Sequence, residues 1–385
     1  MNLFNRFILR IKKSTNLRNT SSFAETMELS DEILPSIYTR ETDPVYHNES
    51  HLNKLYNIPS KDCATILSHG LMNQYKIQLK IFNEMSILIR KPSIELLSYL
   101  SKSDYAKPVN KYVIYGECGS GKSTLLYHLL HYGYNTNKII VYVNHAQYWF
   151  TKPKEIKYSE IERNIIDLPI DTRIWLDKFK LLNNHILCQA NIKLSKSYKW
   201  GTGANFPKDS SLIDLINFGI DQTRYASEIV AALVNELKQA SRIGLCNVLV
   251  LIDNYNIFFS HYTQIKNSLK KFALTSEFSL TQNFLEITKS DWCNGQIIVT
   301  VDTAVNKDRQ ESHLPRYLLT KEGFEHLDPF LPINVENYSE DEFYTMIDYY
   351  KHKKLIRSLT SNGEKELKLL SGYNPYKLMD LCKHL

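Results

Sequence analysis

Five short apolar runs stand out from an otherwise mixed chain. They are "KYVIY" (Lys111 to Tyr115), "KIIVYVN" (Lys138 to Asn144), "NVLVLID" (Asn247 to Asp253), "GQIIVTVDT" (Gly295 to Thr303) and "LPINV" (Leu331 to Val335). Each is strand-length and bounded by turn formers or charges. In the third and fourth, both faces are apolar, as strands buried inside a parallel sheet require. Between them the period lengthens to that of helices. Tyr75, Leu79, Phe82, Leu88 and Ile89 predict one helical face after Leu71, which Pro92 interrupts before a second helix through Ile94, Leu97 and Leu100. The stretch 158–211 is more polar, with helical patches such as "TRIWLDKFKLLNNHIL", and a single long helix is expected from Leu212 to about Ser241.

After Val335 the pattern is helical only. Ser339 and Glu342 have capping-box spacing, with Phe343, Met346, Ile347 and Tyr350 on one face. Near the end, Asn374 is placed to cap a helix with Pro375 in its first turn. The predicted organisation is an α/β domain over 71–335, mainly parallel in its sheet, and a small helical lid over 336–385. Residues 25–70 read as a polar, irregular, extended arm.

The first 24 residues carry Arg6, Arg10, Lys12, Lys13 and Arg18 and no acid before Glu25. Leu3, Phe4, Phe7, Ile8 and Ile11 fall on the opposite side of a helical wheel. That composition predicts a mitochondrial presequence. Composition changes the picture little beyond this. With 385 residues, 43% hydrophobic and 23% charged, the chain has material for a large core, and no apolar run is long enough to cross a membrane. A net charge of +6 permits a polyanionic partner without requiring one. The cysteines at 63, 118, 188, 246, 293 and 382 form no C-x-x-C pair, which argues against a zinc site and for buried, reduced thiols.

The candidate chemistry lies at the end of the first strand. "GECGSGKS", Gly116 to Ser123, matches the phosphate-loop pattern G-x-x-x-x-G-K-[ST] in full, and it sits between a predicted strand and a predicted helix. The glycines, Gly116, Gly119 and Gly121, allow positive φ and close approach to phosphate oxygens. The amides of Glu117, Cys118 and Ser120 complete an anion nest, which the helix dipole reinforces. Lys122 is the cation for the terminal phosphates, Ser123 a Mg²⁺ ligand, and Thr124 a second hydroxyl near the α-phosphate. Asp253, an acid closing a buried strand, is the expected second carrier of the Mg²⁺ site.

Two departures bear on turnover. The neighbour of Asp253 is Asn254, which has no basic carboxylate, and Asn256 stands where switch GTPases place a glycine. Fast intrinsic hydrolysis is therefore not expected. Thr300 and Thr303 are candidate sensors of the terminal phosphate, although a β-branched residue in a strand needs no such role. "TKSD", Thr288 to Asp291, fits the [NT]-K-x-D pattern that reads guanine, but it follows a helical stretch and precedes a strand, the context of a chance match.

The combination of "SHGL", "LIRKPSIELLSYL", "YGECGSGKS", "WLDKFKLLN", "NVLVLIDNYN", "DWCNGQIIV", "LLTKEGFEHLDPFLPINVENYSEDEF" and "LLSGYNPYKLMDLC" resembles the death-associated protein 3 family of mitochondrial small-subunit ribosomal proteins. The resemblance spans roughly four-fifths of the chain. It implies a P-loop fold related to AAA+ ATPases and a guanine nucleotide, GTP or GDP, with ATP not excluded, held with Mg²⁺. It also implies partners among small-subunit proteins and rRNA in the mitochondrial matrix, and a link to apoptosis. The loop and Asp253 alone leave a second class open, a free signalling or remodelling NTPase that turns over with a partner.

Overall fold

Every strand of the central sheet is built from one of the five apolar runs, and all run parallel. The computed structural model describes residues 35–66, 73–144, 146–159, 165–201, 204–267, 269–305 and 312–383. The acid-free start and the first part of the arm lie outside them. A short strand β1 (Leu55–Asn57) pairs antiparallel with β2 (Ser86–Leu88). The sheet proper contains β3 (Asn110–Tyr115), β4 (Ile139–Val143), β5 (Val248–Ile252), β6 (Gly295–Thr300) and β7 (Leu331–Asn334), in the order β7-β3-β6-β5-β4. β3 and β4, consecutive strands in the chain, therefore have two others, β6 and β5, inserted between them. Every residue of β5 and β6 is buried. Val248, Val250 and Ile252 enter the core on one face, and Leu249 and Leu251 enter the core on the other, following the period-2 alternation of a strand.

One face of the sheet is covered by α1 (Ser60–Ile66), α2 (Asn73–Phe82), α3 (Lys91–Lys102) and α4 (Lys122–Asn135). The other face is covered by α5 (Pro169–Ala190), α6 (Leu212–Asp221), α7 (Ala226–Arg242) and α8 (Ser279–Ile287). Three C-terminal helices, α9 (Glu340–His352), α10 (Ser361–Ser371) and α11 (Pro375–Cys382), make a third core with residues of β1 and β2. Both predicted caps are present. Ser339 and Glu342 form a full capping box, and the Asn374 side chain accepts from Lys377 N with Pro375 in the first turn.

Four expectations need correction. Leu88 does not continue the helix from Leu71. Asn83 adopts φ 53°, which ends α2, and Leu88 then pairs opposite Leu55. The long helix from Leu212 is broken at Gln222 (φ −108°, ψ 77°), so that α6 and α7 both pack against α5. Residues 36–66 are not an extended arm, because Leu55, Tyr56, Ile58 and Ile66 are buried core residues within one compact unit spanning 36–385. Of the six free cysteines, only Cys246 and Cys382 are buried. Among the described residues no helix is long and apolar enough to cross a membrane.

The folded arm is held against α4 by a buried histidine group. His47 Nδ1 lies 2.9 Å from His128 Nε2, and Tyr56 packs on the rings of His128 and His131. Burial holds His47 below its ordinary pKa, takes His128 well below it, and lowers His131 to about 4 against the pull of Asp43. These rings are neutral in the fold, whereas the unfolded chain protonates them below about 6.5. Their contribution is present above about 6.5 and is lost as pH falls towards 4. His131 alone predicts a loss of about 2 kcal/mol between about pH 7.5 and 5. Urea unfolding across that range should show it, and His131→Phe should reduce the slope. An equal slope in both proteins would contradict this account.

Candidate phosphate-binding site

Strand order brings the chemistry together. β3 and β5 flank β6, so the loop after β3, the acid after β5 and the end of β6 meet at one sheet edge. The loop is held by sharp backbone turns, with φ 149° at Gly116, 83° at Gly119 and 103° at Gly121. A Cβ on Gly116 would lie 2.2 Å from the carbonyl oxygen of Val335, and one on Gly119 would lie 2.7 Å from Asn374 Oδ1. Only glycine fits either place.

The loop carbonyls all face protein donors. Lys122 Nζ donates to Gly116 O (2.9 Å) and Glu117 O (2.7 Å). Asn374 Nδ2 donates to Cys118 O (3.0 Å), Tyr376 N to Gly119 O (3.2 Å), and Arg90 Nη1 to Ser120 O (2.8 Å). The amides of Gly119, Gly121 and Lys122, by contrast, have no acceptor among the described residues. The Ser120 hydroxyl, fully buried, also lacks one there. The Ser120 amide, expected in the nest, turns back to Glu117 O (3.2 Å). A loop with its carbonyls satisfied and three amides unspent is an anion nest, placed at the positive end of α4.

The two residues expected at the Mg²⁺ site lie side by side. Ser123 Oγ donates to Asp253 Oδ2 at 2.9 Å, and Asp253 is only 2% exposed. Thr300 is no phosphate sensor in this arrangement. Its hydroxyl donates to Asp253 Oδ1 (2.6 Å) and accepts from Asn254 N (2.8 Å), so it fixes the acid in place. Mg²⁺ bound through phosphate asks for one or two protein oxygens and keeps its remaining waters, and Ser123 with Asp253 fits that need. Among the described residues there is no larger cluster of metal-ligating side chains. Thr124 lines the same cavity, about 810 Å³, whose lining also includes Leu55, Ile87, Tyr338 and Met346. That volume is in the range of small-molecule sites.

The guanine-type pattern is elsewhere. Thr288 to Asp291 precede β6 and so lie at the opposite end of that strand from Asp253. The Thr288 hydroxyl donates to Leu285 O (2.9 Å), and Asp291 pairs with Lys238 (2.7 Å) and Arg242 (3.1 Å). Thr303 starts a 3₁₀ turn past the strand end.

Three residues at the site escaped the sequence reading. Asp302 pairs with Lys122 at 2.8 Å. It carries the same signal as Asp253, an acid closing a buried apolar strand. Arg90, the first of two basic residues after the run "SILI", joins the loop to Glu342 of α9. Asn374 was read only as a cap, yet its amide also holds Cys118 O. Asn256 spends its amide on Asp302, donating to its carbonyl (2.9 Å) and accepting from its N–H (3.1 Å).

Comparison with known proteins gives the family. The chain is 35% identical over 351 residues to the small ribosomal subunit protein mS29 of Bos taurus, covering 90% of this chain and 88% of that one. It is 34% identical to the mS29 of Mus musculus, at 90% and 89% coverage. Among solved structures, a Walker-type ATPase of Pyrococcus abyssi superposes with a TM-score of 0.40 at 13% identity, over 76% of this chain and 65% of that one. The model of the family described as mitochondrial ribosomal death-associated protein 3 matches residues 87–381, from β2 to the last helix. The chain belongs to the mitochondrial ribosomal death-associated protein 3 family.

Proposed function

We propose that this chain is a structural component of the small subunit of the mitochondrial ribosome that keeps a guanine nucleotide and Mg²⁺ as a near-permanent ligand. It works in mitochondria, with small-subunit proteins and rRNA as partners. The family and the mS29 relatives support that placement. The ligand is supported by one observation above all, the loop with three amides unspent and its carbonyls bound. Besides Lys122, the donors to those carbonyls come from Arg90 and from Asn374 and Tyr376 at the start of α11, so a ligand in the loop would stiffen the same contacts that fasten α9 and α11. Guanine is the base that the family resemblance implies, and ATP is the alternative.

Slow turnover is part of the reading. Asn254 offers no base, and Asn256 is committed to Asp302. An unassisted site of this kind hydrolyses at roughly 10⁻⁴ to 10⁻³ per second. A free NTPase driven by a partner's arginine is the competing reading. Co-sedimentation with small subunits from mitochondrial extracts separates the two, and turnover of the purified chain near about one per second would overturn the slow-ligand reading. The most direct test is a mass measurement of the nucleotide extracted from the protein. Lys122→Ala should weaken its binding at least tenfold, the scale of a lost charge-assisted bond of about 1.5–3 kcal/mol. It should also remove the ligand's contribution to thermal stability. Unchanged affinity would mean the loop is not the site.

A further inference from the structure

The Lys122 ammonium has three N–H donors, and all three are engaged. They go to Gly116 O, Glu117 O and Asp302 Oδ2. The carboxylate among these is fixed in place. Its second oxygen, Oδ1, accepts the amide of Ala304 at 2.8 Å, and Asn256 clamps the Asp302 backbone from both sides. The Asp302 side chain is 13% exposed, so little water screens it. In a phosphate loop of this pattern the lysine serves the β- and γ-phosphates. A fixed negative group already at that lysine opposes the most charged of them.

We propose that Asp302 sets the phosphate number of the ligand, so that the site retains a nucleoside diphosphate and discriminates against the triphosphate. This rests on the nucleotide reading above and adds to it. A diphosphate meets Lys122 through its β-phosphate, for which the ammonium gives up a loop carbonyl and keeps Asp302, and it is held besides by the loop amides, Ser123 and the α4 N-terminus. A triphosphate has to bring its terminal phosphoryl against the Asp302 carboxylate or break the pair. The carboxylate has few ways to move aside, because the Ala304 amide holds its Oδ1 and Asn256 holds the Asp302 backbone at two points.

The test is a titration of the full chain, freed of nucleotide, with Mg²⁺ and either GDP or a non-hydrolysable GTP analogue. The wild type should prefer the diphosphate at least about tenfold, the scale of one charge–charge contact. Asp302→Asn keeps the acceptor for Ala304 and removes the charge. It should raise affinity for the triphosphate analogue about tenfold and collapse the preference. Equal wild-type affinities, or a ratio unmoved by Asp302→Asn, would overturn the assignment while leaving the nucleotide reading standing. So would an Asp302→Asn protein that binds both ligands like the wild type but no longer hydrolyses GTP, since Asp302 would then be a proton acceptor. Failure of the wild type to bind either nucleotide would remove both readings together.

Discussion

Gly116→Ala is expected to destabilise the chain by about 2–6 kcal/mol and to remove nucleotide binding. Two terms add. At φ 149° a side chain holds the backbone in a region that L-residues avoid, at a cost of about 1–3 kcal/mol. The new methyl would also sit 2.2 Å from Val335 O, a backbone atom at the end of β7. That strand end cannot yield cheaply, since Val335 N donates to Tyr115 O at 2.8 Å in the same ladder. Overpacking of this sort costs about 1–3 kcal/mol more. Any relief moves the Gly116 carbonyl, one of the acceptors that aim Lys122. Gly244→Ala is the control, because its φ is also positive, at 76°, but nothing lies within 4 Å of its added Cβ. It should lose only the smaller conformational share. Urea unfolding with a parallel titration decides the matter, and a Gly116→Ala protein as stable as Gly244→Ala would refute the contact argument.

Arg90→Ala should cost about 3–5 kcal/mol and loosen the C-terminal helices in particular. The guanidinium makes a bidentate pair with Glu342, at 3.0 Å from Nε to Oε1 and 3.0 Å from Nη2 to Oε2. It also donates to Ser120 O, Glu336 O and Asn337 O and lies over the Tyr338 ring. The two side chains are 13% and 8% exposed, so deleting the arginine strands a carboxylate with little water to solvate it. Lysine cannot reproduce the fork, so Arg90→Lys should recover little of the loss. Amide exchange in 340–382 should accelerate more than exchange in β5 and β6. Full recovery by lysine, or protection unchanged in α9 and α11, would show that Arg90 is not the tie.

Much of the site was legible in the chain because its signals are local. Phosphate-loop spacing needs only eight consecutive residues, and "NVLVLID" marks its own acid. The capping box at Ser339 and the helix cap at Asn374 were readable for the same reason. Asp302 shows how thin the margin was, since its strand-closing position was as visible as that of Asp253. What distinguished it was its partner, Lys122, and no local pattern names a partner 180 positions away. Arg90 was harder still. Its meaning depends on Glu342, whose spacing to Ser339 already accounted for it as a helix cap.

The sequence by itself determined the elements and the loop, because backbone preference, capping and the alternation of apolar residues act over a few residues. It determined that β5 and β6 are buried on both faces. Being apolar on both faces, however, such strands carry no mark of who stands beside them. The order β7-β3-β6-β5-β4 was therefore a tertiary outcome, and with it the meeting of Lys122, Asp253 and Asp302 at one edge. The same holds for the two misread segments. Leu88 has the spacing of a helix residue, yet the partner strand at Leu55 and the turn at Asn83 decided its conformation. Residues 36–66 look polar along the chain, yet the few apolar ones among them complete the cores beneath α4 and α9, and that burial outweighs their local preference for an extended chain.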